Sequence, residues 1–232
     1  MSTLWRCRLA KLGRMRFLSH LDLMRTLTRA FQRVDLALVY SGGYHPHPLL
    51  SFGPALAVGV ESIGEYFDVT LGVEATRETL LERINAGLPG GIALLDACAM
   101  PAGGPSLAAR INAASYRVWL PGVLDTEGIA SLWSRESIPV ARTNADGTRR
   151  VVDLRPLLLA VAPTDPSGGV LDILGVTGSA GNLRPEELLR FVSGLAPSRI
   201  LRTGLYLRAG ETLVEPMYGQ AANWKEILPP RA

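Results

Sequence analysis

The chain has 232 residues, 47% apolar and 19% charged, which fits one large globular domain or two small ones and excludes a disordered chain. No run of eighteen uncharged apolar residues occurs, so no membrane-spanning helix and no membrane partner is expected, and the opening MSTLWRCRLAKLGR lacks the apolar core of a signal peptide. Net charge is +3, but residues 1–40 hold eight basic side chains against Asp22 and Asp35, a local +6 that leaves −3 for the rest.

Twenty-two of the 24 basic residues are arginine, which suits bidentate grips on phosphate or carboxylate and equally follows from a GC-rich genome. Cys7 and Cys98 stand apart with no CxxC, so a reducing cytoplasmic location is expected, with both thiols acting as small buried hydrophobes. Trp5–Leu12 alternates, with Trp5, Cys7 and Leu9 inward and Arg6 and Arg8 outward, and predicts a half-buried strand that Arg14–Leu18 extends or ends. Ser19 then opens a helix, with Asp22 three positions on in a start resembling a capping box. Met24, Leu27, Phe31 and Val34 form its buried stripe, while Arg25, Arg29 and Arg33 share another face.

A short strand is expected over Leu36–Tyr40, followed by YSGGYHPHPLLSFGPALAVGVESIGEY, residues 40–66. Gly42 and Gly43 permit a sharp turn. Pro46 and Pro48 hold His45 and His47 extended, so two imidazoles spaced two residues apart project the same way. This reads as a shaped surface loop, where binding chemistry concentrates. Leu49–Phe52 and Ala55–Val60 predict a bent or edge strand broken at Gly53-Pro54. Glu65–Leu71 predicts a strand, and Thr76–Leu88 a helix burying Leu80, Leu81, Ile84 and Leu88. A further strand, Ile92–Met100, follows Gly90-Gly91.

Pro101–Asn112 reads as a boundary or exposed connection. Beyond it come a strand over Ala114–Leu120 and a short helix capped by Asp125 and carrying Ile129, Leu132 and Trp133. Ile138–Thr143 and Arg149–Leu154 flank the turn Asn144-Ala145-Asp146-Gly147, and Leu157–Val161 and Gly169–Val176 flank Pro163–Gly168. Pro185 starts a helix that runs through Leu188, Leu189 and Val192 to Gly194, and Ile200–Arg208 closes as a strand. The order β-α-β-β-α-β thus occurs twice. It predicts an α+β fold of two tandem ferredoxin-like halves, residues 1–104 with an elaborated histidine loop and residues 112–208. An irregular tail, 209–232, is expected to follow, with Trp224 docking back.

The stretches Arg16–Arg25, Tyr40–Pro48, Ser51–Leu56, Gly59–Ser62 and Gly64–Asp68 resemble the bacterial radical-SAM-linked protein family, densely over residues 4–72. The resemblance implies a domain of unknown function, fused to or encoded beside a radical SAM protein, which would be its partner. Members of that family usually show Phe-Asn-Pro-His-Pro where this chain has Tyr44-His45-Pro46-His47-Pro48, so His47 matches a family histidine and His45 replaces an asparagine. The chain has no CxxxCxxC, and two separated cysteines cannot ligate an iron–sulfur cluster. No cofactor is therefore expected on it, and it would act beside the radical SAM enzyme.

Four functions stay open. In the first, an accessory module presents RNA or another anionic substrate: Arg14, Arg16, Arg25 and Arg29 grip phosphates, and Tyr40, Tyr44 and Phe52 stack on bases. Ser19, His20, Asp22, Ser41, His45, His47, Ser51, Glu61 and Glu65 complete that candidate binding set. In the second, the tandem halves are similar to CRISPR repeat-processing endoribonucleases, which need no metal. His20 then stands where such an enzyme keeps its acid–base histidine, with Tyr40, Tyr44 or His47 as its partner and Gly175–Gly181 in place of a glycine-rich loop. In the third, His20, His45 and His47 give three nitrogen ligands for zinc, with Asp22 or Glu65 nearby. In the fourth, His20 only orients the helix start, His47 stiffens the loop, and Glu61, Glu65 and Asp68 pair with Arg14, Arg16 or Arg25. The loop would then be a protein-docking surface. The site readings share one expectation: the helix start and the proline-stiffened loop meet around a single hollow.

Overall fold

The N-terminal alternation forms β1 (Thr3–Lys11), in a computed structural model that describes residues 2–123, 126–143, 146–164 and 168–223. The chain divides into two compact units. The first is Met1–Ile111 with Glu215–Gln220; the second is Asn112–Val214 with the described residues from Ala221 on.

In the first unit β1 is followed by a 3-10 turn (Gly13–Phe17), α1 (His20–Arg33), β2 (Leu50–Phe52), β3 (Glu61–Leu71), α2 (Arg77–Gly87), β4 (Ile92–Met100) and a short α3 (Leu107–Arg110). The strands lie in the order β4-β1-β3-β2, and every neighbouring pair is antiparallel. Cys7 sits between Phe67 and Ala97 in this register, so Trp5, Cys7, Leu9, Phe67, Val69 and Leu94 share the face covered by Leu23, Leu27 and Phe31 of α1 and Leu80 and Ile84 of α2. The α1 stripe starts one residue earlier than expected: Leu23 is buried, and Met24 and Val34 only half so. The two helices close each other's ends. Arg33 Nη1 donates to Gly87 O at 2.6 Å, and Arg83 Nη2 donates to Val34 O and Asp35 O, satisfying carbonyls that a helix terminus leaves open.

Leu36–Tyr40 makes only isolated bridges, Leu38 to Leu71 and Tyr40 to Pro48, and is not a strand. The outer edge of β3 is divided between Val39, whose N–H reaches Thr70 O, and β2, so neither segment has room for a long ladder. Ala55–Val60 is likewise no strand. It turns, with Gly59 at φ +90° donating to Arg16 O, and β3 begins at Glu61 instead of Glu65. Pro101–Asn112 is not merely an exposed connection, since α3 buries Leu107 and the next residue, Ile111, is equally covered.

The larger correction concerns the other face of this sheet. Arg6, expected to face water, is 4% exposed because Glu215–Gln220 lies over it. Arg6 Nη1 donates to Pro216 O at 2.8 Å, and its Nε and Nη2 form a fork on Asp68 at 2.8 and 2.9 Å. The described tail thus holds short strands, Thr212–Val214 and Ala221–Asn223, on either side of a turn that packs on Arg6, whereas Trp224 lies outside the described residues.

The second unit runs β5 (Ala113–Trp119), α4 (Thr126–Ser134), β6 (Pro139–Thr143), β7 (Arg149–Asp153), β8 (Leu158–Pro163), β9 (Val170–Val176), α5 (Pro185–Ser193), β10 (Arg199–Ala209), β11 (Thr212–Val214) and β12 (Ala221–Asn223). Its strands lie in the order β10-β5-β9-β8, again antiparallel, with β6 and β7 forming a separate ribbon. Helix α5 starts on Pro185 with Glu186 and Glu187 in its first turn, where acids favour the dipole. The cap assigned to Asp125, the turn residues Asn144 and Ala145, and residues 165–167 lie outside the described residues. No helix among the described residues is long and apolar enough to cross a membrane.

Candidate functional site

Inward positions of β1 alternate through Trp5, Cys7 and Leu9 to Lys11, which is 1% exposed. A buried ammonium needs acceptors, and Lys11 Nζ donates to the carbonyls of Leu18 at 3.0 Å and Arg16 at 3.4 Å, fixing the 3-10 turn that leads into α1. His20 is the first residue of α1. Its ring meets Phe52 edge-on with centroids 5.0 Å apart, and Phe52 leans on Phe67 at 5.5 Å. Glu65, buried on the helix side of β3, closes the arrangement. Lys11, His20, Leu23, Phe52, Gly53, Pro54, Leu56 and Glu65 line a hollow of about 10 Å³. That is room for one water and far too little for a nucleobase. An imidazole, a carboxylate and an ammonium set among apolar walls can hold a water-sized polar group and exchange a proton with it.

Ser19 and Asp22 build the helix start. Ser19 Oγ accepts from Asp22 N–H at 3.2 Å and donates to Asp22 Oδ2 at 2.7 Å. That bond, joined by Arg25, lowers the Asp22 pKa from its ordinary value. Glu61 accepts from Gly13 N–H at 2.7 Å and so anchors the 3-10 turn.

The histidine loop is held separately. Ser41 N–H donates to His47 O at 2.8 Å, His47 N–H donates to Ser41 Oγ at 3.1 Å, and Ser41 Oγ lies 2.9 Å from His47 Nδ1. Gly43, at φ +102°, turns the tip in a conformation that a side chain would strain. Tyr44 is fully exposed, and His45 and His47 are exposed beside it. Tyr40 accepts a hydrogen bond from Gln32 Nε2 at 3.1 Å, which ties the loop base to α1. Ser51 is exposed on β2.

The hollow gathers His20 with Phe52, Gly53, Pro54 and Leu56, which follow the histidine pair in the chain, but neither His45 nor His47 lines it. The Ser41–His47 bonds make the loop its own hairpin, while Phe52 draws His20 toward the core edge. Nor do three His, Cys, Asp or Glu side chains gather anywhere among the described residues, so His20, His45 and His47 are not assembled as a ligand set. Asp68 pairs with Arg6 and not with Arg14, Arg16 or Arg25.

Residues 5–185 match the family described as an uncharacterized protein conserved in bacteria, DUF2344. The chain belongs to this family. The matched span takes in every residue of the hollow and of the histidine loop. No curated protein matches the chain. Among solved structures it is similar to a chain of the crystal structure of a Cbf5-Nop10-Gar1 complex, at 10% identity and a TM-score of 0.44. The likeness covers 87% of this chain and 48% of that one, so the chain spans about half the length of the solved chain it matches.

Among the arginines of this DUF2344 chain, Arg14 and Arg29 are exposed and make no ion pair with a described residue. Arg25 is 69% exposed beside Asp22 at 3.4 Å, and the Arg16 guanidinium lies 4.5 Å over the Phe17 ring. Sequence reasoning missed Lys11 and Phe17. Lys11 had a signal, because the inward parity of Trp5, Cys7 and Leu9 carries directly onto it. Cys7 and Cys98 are free; burial raises both pKa values, that of the enclosed Cys7 well above the usual thiol range.

Proposed function

We propose that the chain is an accessory binding module that acts with a radical SAM protein and presents RNA or another anionic polymer to it. The observation that carries this reading is the Gln32–Tyr40 hydrogen bond, which sets the loop base against the helix face bearing Arg25 and Arg29. A row of exposed guanidinium groups thereby continues toward the exposed Tyr44, His45 and His47. Guanidinium groups neutralise phosphates with release of counterions, and an exposed tyrosine offers a face on which any base stacks. In the first unit the sheet face away from the helices is covered by Glu215–Gln220, so the grip belongs to loop and helix and not to stacking on the sheet. The strand orders β4-β1-β3-β2 and β10-β5-β9-β8, each with two helical connections, support reading the units as tandem ferredoxin-like halves, the second carrying β6–β7 as an insertion. The radical SAM association rests on the motifs around residues 16–25 and 40–56.

Binding of a fluorescent single-stranded RNA, followed by anisotropy, tests the module. Affinity should fall steeply as salt rises, and Tyr44→Ala should weaken it by about 1–3 kcal/mol. RNA that does not bind at low salt, or binds equally to the Tyr44→Ala variant, ends this reading. A second reading, a metal-independent endoribonuclease, draws on His20, Lys11 and Glu65 sharing the hollow. It requires cleavage of a labelled structured RNA that His20→Ala abolishes.

A further inference from the structure

Three large apolar side chains stand exposed where three segments adjoin: Phe17 at 59% on the 3-10 turn, Leu21 at 60% on the first turn of α1, and Val58 at 60% on the turn before β3. The segments are joined by the bond from Gly59 N–H to Arg16 O at 2.9 Å, and Leu21 directly follows His20. Residues near them in the chain, His20 and Leu56, line the hollow. Scattered exposed apolar residues are ordinary, but an adjoining set next to a hollow marks an interaction surface. Its rim is basic, with Arg14 exposed, Arg16 lying over the Phe17 ring and Arg25 at 69%. Asp22, the acid of this rim, is engaged by Ser19 and Arg25.

We infer that the start of α1 is a docking surface for a protein partner that offers an apolar knob ringed by carboxylates. RNA fits this patch less well. Leu21 and Val58 have no π face, one face of Phe17 is already covered by a guanidinium, and the hollow cannot admit a base. A second copy of the chain would bring arginine against arginine, which disfavours self-association. The charge of the rim thus selects an acidic–apolar protein segment, with its apolar side chain over Phe17 and its carboxylates on Arg14 and Arg25. The surface uses none of Tyr44, His45 and His47 and shares only Arg25 with the proposed RNA grip, so this inference holds whether or not those loop residues bind RNA.

Selection of the full chain against a display library of random peptides tests it, because the readout is the chemistry of the enriched sequences. Enrichment of Leu, Phe or Met flanked by Asp and Glu is expected, and a synthetic representative should bind about tenfold more weakly to a Phe17→Ser, Leu21→Ser double variant. Both positions are exposed, so the urea midpoint of that variant should match the parent, and Tyr44→Ala should leave peptide binding unchanged. Enrichment of basic sequences, no enrichment, or equal binding by the double variant overturns the proposal. So does concentration-dependent dimerisation that the double variant removes, which would make a second copy the occupant. Displacement of the peptide by single-stranded RNA from the parent but not from Tyr44→Ala leaves the docking surface standing and reports on the loop.

Discussion

In the first unit ionisable side chains lie inside the fold: Arg6, Lys11, Glu61, Glu65 and Asp68 are each at most 8% exposed. In the second unit, with the same strand order, the described ionisable side chains buried to that degree are two, Arg142 at 8% and Arg202 at 1%, while Arg135 lies over Phe191, Arg155 over Trp133 and Arg199 over Trp119. Burying a charge costs several kcal/mol before its partners offset it, so such groups persist where their position matters. Surface stacking carries no such penalty. One strand order therefore supports two regimes that differ in degree, five buried ionisable groups of both signs in the first unit against two arginines in the second, and the candidate site rests on those side chains and not on topology.

The widest separation between the regimes is expected at their ion pairs. Asp68→Ala leaves Arg6 buried beneath Pro216 without a counter-charge and should cost about 3–5 kcal/mol in urea denaturation. Arg142→Ala removes a pair of similar geometry in the second unit, 2.7 Å to Glu187, but Glu187 keeps Arg184 at 3.0 Å. A loss of about 1–3 kcal/mol is expected there. Equal losses would erase the distinction. The second unit should instead be most sensitive to packing. A Cβ on Gly175 would stand 2.7 Å from Leu183 Cβ, so Gly175→Ala should cost about 1–3 kcal/mol by overpacking, read from the same denaturation curves. A neutral Gly175→Ala would mean that Leu183 can move aside. Ser19→Ala should cost only about 1 kcal/mol as a lost helix cap, with RNA affinity unchanged, since the Ser19 hydroxyl is engaged by Asp22 at the helix start. A loss of RNA affinity without a loss of stability would return Ser19 to the binding set.

Local patterns were readable from the residues. Strand β4 spans Ile92–Met100 as its apolar run predicts, and Ser19 caps α1 as its spacing with Asp22 predicts. His20, Phe52 and Glu65 were each recognisable as candidates, but their convergence was not, because it depends on the pairing of β2 with β3, which sets Phe52 beside Phe67, and on α1 packing over that face. His47 stays out of the hollow that His20 lines, and its hydrogen bonds run to one serine, Ser41, through hydroxyl and backbone N–H. Arg6 was assigned to water because the segment that covers it lies 210 residues further on, beyond the reach of any periodicity. Alternation reports which face a side chain takes, not what arrives later to cover that face.

That covering segment offers the smallest and most selective test. Tyr218 OH donates to Asp96 Oδ2 at 2.8 Å, and Arg77 Nε donates to Asp96 Oδ1 at 2.6 Å. Burial works against the ionised carboxyl, but the bonds from Arg77, Tyr218 and the Ala97 N–H prevail and lower its pKa. A carboxyl whose folded pKa is depressed contributes stability that is present above its unfolded value, about 4, and is lost as pH falls through the folded value. Burial and Asp96 together raise the pKa of Tyr218, so its contribution is intact below the unfolded phenol value of about 10 and is lost as pH rises through the folded one. Between those limits the segment should be insensitive to pH. Gly219 N–H donates to Glu215 O within it, so the exchange protection of that amide reports its closure. Protection should stay level across neutral pH and decline below about pH 4 before the rest of the first unit does, whereas Asp96→Asn should show no such early decline. The partners that hold Asp96 are themselves near half exposed, Arg77 at 46% and Tyr218 at 52%, so solvent screening should keep the change modest. If Gly219 loses protection only together with β1, the segment is an inseparable part of the sheet and the Asp96 contact does not govern it.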